Sequence, residues 1–360
     1  MTPLHRNGLR LLALAAALAC TAAAQAEGRS STIGWIGEDA EALTGNNSAP
    51  SNWRVTPGMT FNGYGFEGNA RINFDGFVCS GTLLSGGQYL LTAAHCADGF
   101  TTMTISFGTY GGAAAQTRTP AQVWVHPQWT GALSQGTDIA IIRLNAPVTG
   151  ITGFDLSRTN DVGREHLIMG HGTTGIGNAT SGPNWGDYGW AHYGFNTFDT
   201  TSKAFDDAWD GSGNNTFGDE YVVDYDSSTN GANHNTLQRV ADLRGASFTS
   251  GLTLGANEAL IAGGDSGGGD FVWDGTRWLL SGVHSWGWQF CGGRITPTCD
   301  FSSSNSSSWG DLSGSTAVFR HVEWIESITG PIPEPSTWGL MALGLLAVGS
   351  TARRRAQRAG

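Results

Sequence analysis

Short runs of β-branched or alternating apolar and polar residues, separated by Gly, Asn and Pro, recur from Phe77 to Phe319. Runs of this length and punctuation are strands joined by turns, and many of them in one chain must bury their apolar faces by packing or curling sheets. The pattern predicts strands over Phe77–Leu84, Tyr89–Ala93, Met103–Phe107, Ala121–Val125 and Ile139–Leu144 in one half. In the other half it predicts Leu167–Met169, Tyr221–Tyr225, Phe271–Trp273, Trp278–His284 and Ala317–Phe319. Phe319–Ile328 reads as a closing helix with Val322, Trp324 and Ile325 available for packing. With 54 glycines and only 14% charged residues, the composition suits a loop-rich, all-β protein better than a helical one.

Three segments inside this framework carry chemistry: Leu91-Thr-Ala-Ala-His95-Cys96, Thr137-Asp138-Ile-Ala-Ile-Ile-Arg-Leu144, and Gly263-Gly-Asp265-Ser266-Gly-Gly268. The order His, Asp, Ser is that of one of the convergent solutions to acyl transfer. Together the segments resemble the chymotrypsin/trypsin-like serine proteases, over about residues 55–328. The resemblance implies two six-stranded Greek-key barrels with a C-terminal helix, at about 55–150 and 160–320. It fails over about 172–236, an insert rich in Gly, Asn, Asp, Trp and Tyr between Asp138 and Ser266.

A free Ser hydroxyl is a poor nucleophile, and a neighbouring His can take its proton during attack and return it to the leaving amine. A buried Asp holds the imidazole in the right tautomer. The expected roles are Ser266 as nucleophile, His95 as general base and acid, and Asp138 as orienting carboxylate. The glycines around Ser266 let the N–H groups of Gly264 and Ser266 converge on a developing oxyanion, where one donor is worth roughly 3–4 kcal/mol. The expected function is serine endopeptidase hydrolysis of polypeptides through an acyl-enzyme. A silent surface adhesin on a protease scaffold and an esterase are the competing readings.

The two ends of the chain read as address signals. Arg6 and Arg10 precede the apolar run Leu11 to Ala19 and the small-x-small triplet Ala24-Gln25-Ala26, the pattern of a signal peptide over 1–26. Residues 27–54 follow as a candidate propeptide. Pro333-Glu334-Pro335 precedes the apolar stretch Trp338 to Val348 and then Arg353-Arg354-Arg355. About a dozen apolar residues are short for a stable span, and the basic cluster would stay cytoplasmic. This tail, 331–360, resembles the PEP-CTERM sorting signal of Gram-negative bacteria. The resemblance implies transient inner-membrane anchoring, a sorting protease acting at Pro333-Glu334-Pro335, and delivery to the cell surface or medium. An ordinary membrane anchor is the alternative; either puts the body outside the cytoplasm.

From 55 to 332 there are 11 basic and 25 acidic residues, a net charge of −14, with Lys203 the single lysine. This argues against nucleic-acid binding, which needs basic patches. Without Cys20 four cysteines remain for an oxidising compartment. The resemblance implies a Cys79–Cys96 bridge bracing His95, which leaves Cys291 and Cys299 for each other. It also implies that Ser285 contacts the catalytic Asp and that Ser285, Trp286 and Gly287 pair with the substrate backbone. In the family the chain resembles, the position six residues before the Ser sets pocket charge; Leu260 there implies no Lys/Arg specificity. His284 falls where glutamate-specific relatives place a substrate-binding His; a His bonded to the strand backbone is the alternative, and apolar and acidic preferences both stay open.

Arg54-Val55 resembles the family's activation site, with the new α-amino group of Val55 pairing with Asp265; an uncut N-terminal extension is the alternative. No cofactor is expected, with one weak calcium candidate at Asp224 and Asp226, where alternating oxygen ligands occur without EF-hand spacing. The aromatic run Trp185, Tyr188, Trp190, Tyr193 and Phe195 reads as a satellite apolar cluster or as a binding platform.

Overall fold

The computed structural model describes residues 42–45, 50–179, 187, 189–210, 220–227, 234–251, 254–289, 301–302 and 307–330. The chain enters with β1 (Ala42–Gly45) and then builds a seven-stranded sheet. Its strands are β2 (Asn69–Phe74), β3 (Phe77–Leu83), β4 (Tyr89–Thr92), β5 (Met103–Tyr110), β6 (Ala113–Arg118), β7 (Pro120–Val125) and β8 (Ala140–Leu144), ordered β6-β5-β2-β3-β4-β8-β7. Every pairing in it is antiparallel. Strands β4 and β8 are buried almost along their length, whereas edge strand β6 is mostly exposed.

The second sheet holds eight strands: β9 (Asp155–Leu156), β10 (Glu165–Gly170), β12 (His192–Thr197), β13 (Thr200–Thr201), β14 (Glu220–Asp224), β16 (Gly269–Trp273), β17 (Trp278–Trp288) and β18 (Leu312–Ala317). The order is β12-β10-β16-β17-β18-β14-β13, with β9 parallel on β17. A third, small sheet places β1 between β11 (Thr173–Ile176) and β15 (Ala259–Leu260). Among the described residues the helices are the single turn α1 (Ala94–Ala97), α2 (Ser202–Asp210), α3 (Thr236–Arg244) and α4 (Val322–Thr329). Asn235 caps α3 by accepting from Gln238 N–H, and Gly245 at φ 68° ends it, a position that favours glycine.

Two curled antiparallel sheets with few helices are the architecture the resemblance implied, with seven and eight strands where it implied six. Two local expectations need correction. The last strand is Leu312–Ala317, and Val318–Arg320 is a 3₁₀ turn rather than strand. The run Leu312-Ser-Gly-Ser-Thr-Ala317 has little apolar alternation to announce it; its pairing with β17 and β14 makes it a strand. The closing helix starts at Val322 rather than Phe319. Within 172–236 lie β12, β13 and β14 of the second sheet, the last at Glu220–Asp224 where Tyr221–Tyr225 was expected.

One continuous core joins the two sheets. Ile72, Leu83, Leu90, Phe107 and Ile141 of the first meet Leu167, Met169, Phe271, Leu280 and Val283 of the second. Phe66, Phe154 and Phe271 interlock at the seam, with ring centroids 4.5 to 5.0 Å apart, and aromatic pairs at such distances stabilise beyond their buried area. Cys79 of β3 and Cys96 of α1 form the described disulfide, with Cα atoms 6.2 Å apart. Cys291 and Cys299 lie outside the described residues, as do 1–41 and 331–360. Among the described residues no helix is long and apolar enough to cross a membrane.

The disulfide closes a loop of 17 residues around β4 and α1. Replacing Cys79 and Cys96 together with Ala is expected to cost about 2–4 kcal/mol, measured as a lower urea midpoint than the oxidised wild type.

Candidate active site

Asp138 sits between β7 and β8 with no exposed surface. Its Oδ1 accepts from the His95 backbone N–H at 2.9 Å. Its Oδ2 lies 2.7 Å from His95 Nδ1 and accepts from Ser285 Oγ at 2.6 Å. Thr316 Oγ1 donates to its backbone carbonyl at 3.1 Å. With a carboxylate as acceptor, the His95 proton belongs on Nδ1, which leaves Nε2 with its lone pair directed elsewhere. His95 comes from α1 of the first sheet; Ser285 and Thr316 come from β17 and β18 of the second. The His95 side chain keeps 19% of its surface exposed, so it opens to solvent while its partner does not.

Ser266 lies in the second of two consecutive tight turns. Asp265 N–H bonds Ala262 O at 2.8 Å, and Gly268 N–H bonds Asp265 O at 2.7 Å. Gly264 and Gly267, third in each turn, adopt φ of 100° and 78°, a region where glycine is the ordinary residue. The turn is pressed onto the end of β4. A Cβ on Gly267 would lie 2.8 Å from Ala93 N and 2.5 Å from Ser80 O, and would collide with Thr92 Oγ1. Ser80 N–H donates to Ser266 O at 2.8 Å, and Ser80 Oγ donates to Gly264 O at 2.8 Å. The fold thus seats the Ser266 turn against the two residues that lead into His95. Among the described residues neither Gly264 N–H nor Ser266 N–H has a protein acceptor, so both donors stay available.

The remaining candidates are placed less openly. Ser285, Trp286 and Gly287 are all buried on β17, whose pairing with β16 ends at Val283. Leu260 is fully buried in an apolar cluster and pairs with Thr44 of β1. His284 does not face the surface: its ring is fully buried, with Nδ1 3.1 Å from Asp265 O and Nε2 3.0 Å from Asp270 Oδ1. Burial works against a charged His284, but the Asp270 carboxylate outweighs it and holds its pKa above the ordinary value. His166 stacks on Phe198 beyond Asp270, and burial pulls it down to about 4.

Around the candidate activation site the chain is well tied. Arg54 donates to both oxygens of Asp187 at 2.7 and 2.8 Å and lies over the Trp190 ring. Val55 is buried, and its N–H bonds Ala191 O at 2.8 Å. Asp265 is fully buried; its Oδ1 accepts from Gly172 N–H and its Oδ2 from Ala262 N–H, at 2.8 and 2.9 Å. Tyr193 and Phe195 pack with Phe61 against the main core rather than in a separate satellite cluster; Trp185 and Tyr188 lie outside the described residues.

Asp224 and Asp226, the calcium candidates, join Asp199 and Glu258 around a cavity about the size of one water. All four are buried. Leu237 N–H at the start of α3 donates to Asp224 at 2.9 Å, Asn235 Nδ2 to Asp226 at 3.2 Å, and Asp226 N–H to Glu258 at 2.5 Å. These are oxygen donors of the kind calcium takes. Among the described residues, however, no three of them bring an oxygen each within 4.8 Å of one another. The one group that does, Cys79, His95 and Cys96, has both sulfurs committed to the disulfide.

Four site contributors escaped the sequence reading: Ser80, Thr316, Asp270 and Glu220. Asp270, four residues after Ser266, was the most legible, since a charged residue opening an apolar strand needs a partner. Ser80 and Thr316 act through hydroxyls at β positions, where Ser and Thr carry no signal. Glu220 lies in the segment set aside as an insert.

Residues 55–187 match the family model "Trypsin", and residues 331–355 match the PEP-CTERM protein-sorting motif. The first match includes His95 and Asp138 and stops before Ser266. The snake venom serine protease KN11 of Trimeresurus stejnegeri is 38% identical over 85 residues, 22% of this chain and 32% of that protein. The transmembrane protease serine 11G of Rattus norvegicus is 29% identical over 98 residues, 26% of this chain and 23% of that protein. The chain thus spans about a third or less of the length of these curated relatives. A solved structure described as HL collagenase is 17% identical, at a TM-score of 0.47, over 74% of this chain and 94% of that one.

The buried acidic cluster has a consequence for stability. Burial is the main cause that pushes Asp224 up to about 6 and Asp226 up to about 11. Unfolded, both titrate near 4, so folding takes up protons above that pH and stability falls as pH rises. Urea midpoints are therefore expected to decline from pH 5 to pH 8. Asp226→Asn is expected to flatten that slope by about 1 kcal/mol per pH unit. An unchanged slope would contradict the assignment.

Proposed function

We propose that this trypsin-like chain with a PEP-CTERM tail is an exported serine endopeptidase, with Ser266 as nucleophile, His95 as general base and acid, and Asp138 as the carboxylate that orients the imidazole. The observation that carries the reading is the fully buried Asp138 bonded at once to His95 N–H, His95 Nδ1 and Ser285 Oγ. A structural Asp needs donors, but this set fixes one imidazole in one tautomer at the rim of solvent, which is what proton transfer requires.

In the proposed reaction Ser266 Oγ attacks the scissile carbonyl while His95 Nε2 takes its proton. The imidazolium is stabilised by Asp138, and the oxyanion is held by the N–H groups of Gly264 and Ser266. His95 then gives the proton to the leaving amine, and water repeats the sequence on the acyl-enzyme. Polypeptides are the substrates. The buried Leu260 and the internally bonded His284 favour an apolar preference over an acidic one. The sorting motif supports export, and in the proposed route the tail is removed at Pro333-Glu334-Pro335 after transient inner-membrane anchoring. Cleavage after Arg54 is the proposed activation, turning the Val55 N–H into an ammonium that must leave Ala191 O to reach Asp265.

Exported protein is expected to cleave casein, and Ser266→Ala to abolish cleavage without unfolding. Asp138→Asn should lower kcat by about 10⁴ with geometry kept, because the amide enforces the wrong tautomer. Peptide-library profiling should show cuts after apolar residues, and N-terminal sequencing a start at Val55. Cleavage by Ser266→Ala at the wild-type rate would overturn the nucleophile; dominant cuts after Lys or Arg would overturn the specificity.

A further inference from the structure

Glu220 is the first residue of β14 and has no exposed surface. Its Oε1 accepts from the N–H of Gly136 at 3.2 Å, two residues before Asp138. Gly136 ends the 3₁₀ turn Leu133–Gln135 in the left-handed region, at φ 67°, so its amide is turned away from the regular ladder. Its carbonyl accepts from His321 Nε2 at 2.7 Å. Glu220 pairs across the sheet with Thr316, whose hydroxyl holds the Asp138 carbonyl at 3.1 Å. The β14–β18 pair therefore grips Gly136 and Asp138, on either side of Thr137. The indole of Trp286, next to Ser285, also favours the charged form of Glu220.

Resting on the proteolytic reading above, we propose that Glu220 is a positioning residue of this site: its buried carboxyl anchors the Gly136–Asp138 segment and so fixes Asp138 against His95. A buried carboxyl is costly and is kept out of most cores. An apolar side chain here would satisfy β14 packing but leave the Gly136 amide without its acceptor. Burial is the main cause that pushes Glu220 up to about 8, with the Asp138 charge adding to it. Burial thus disfavours its charged form near neutral pH, and the charge is gained as pH rises. That second negative charge behind Asp138 favours the His95 imidazolium.

Of the other elements packed on β14, α3 carries Arg239, half-buried, and Asp242 and Arg244, both exposed. His321, on the Gly136 carbonyl, is pulled down to about 4 by burial, and His126 packs against it. On α2, which packs on β14, Asp206 is buried, and Lys203 pairs with Asp207 at the surface. β18 contributes none. On β17, beside Trp286, His284 is paired with Asp270.

The test compares wild type, Glu220→Gln and Glu220→Leu in the exported protein. Two readouts are followed from pH 6 to pH 10: kcat and KM on a peptide, and the NMR signal of the His95 Nδ1 proton. Wild type is expected to show an inflection near pH 8 in both. Glu220→Gln keeps an acceptor for Gly136, so it should lose the inflection while holding kcat at pH 7 within about threefold. Glu220→Leu should lower kcat by roughly tenfold to a hundredfold with KM changed less than about threefold, the signature of a displaced catalytic group. An inflection that survives in Glu220→Gln, or wild-type kcat in a folded Glu220→Leu, would overturn the proposal. If Glu220→Leu fails to fold, Glu220→Gln decides alone. A folded wild type that cleaves nothing would overturn the proteolytic reading instead, and the His95 signal would still decide on Glu220.

Discussion

Asp138 keeps a carboxylate where no water reaches it, and the two halves of the molecule meet around that cost. An uncompensated buried carboxylate is destabilising by several kcal/mol, so its acceptor sites must be filled from the protein. The first sheet supplies two donors through His95, and the second supplies Ser285 and Thr316. Neither half could bury this group alone. The same logic extends outward: Ser80, in the first sheet, holds Gly264 and Ser266 in the turns that lead into β16 of the second. The seam is thus polar at the site and aromatic behind it, where Phe66, Phe154 and Phe271 pack.

The Ser266 turn shows how glycine serves precision. Gly264 and Gly267 supply the two left-handed conformations, and Gly267 also lets the turn approach β4 more closely than any side chain would permit. His284 holds the same turn from behind. Its backbone N–H and C=O pair with Gly268 O and Gly267 N–H, and its ring meets Asp265 O. A residue that engages the turn at three atoms has little freedom left to meet a substrate.

Much of the frame was legible from sequence because strands such as Ala140–Leu144 and Gly269–Trp273 carry their burial in their apolar residues. The His, Asp and Ser segments were legible because, in that order, they resemble those of a known catalytic family. What stayed hidden depends on partners distant in the chain. Leu312–Ala317 is nearly polar and becomes a strand through β14 and β17. His284 looked like a ligand for substrate because sequence does not show that Asp270 lies 3.0 Å from its ring. β12 and β13 were obscured by the Gly- and Asp-rich segments among which they lie, and the strand expected over Tyr221–Tyr225 gave no sign that Glu220, just before it, reaches Gly136.

The chain separations within the site set an order of events. Asp138 waits for a hydroxyl 147 residues downstream at Ser285 and another 178 residues downstream at Thr316. A ribosome that has released Asp138 and Ser266 has not yet made β18, and a chain threaded unfolded through a membrane has made neither contact. On the proposed reading, the power to cut proteins is the last property the molecule acquires. The cell that synthesises it is protected by topology before any inhibitor is needed.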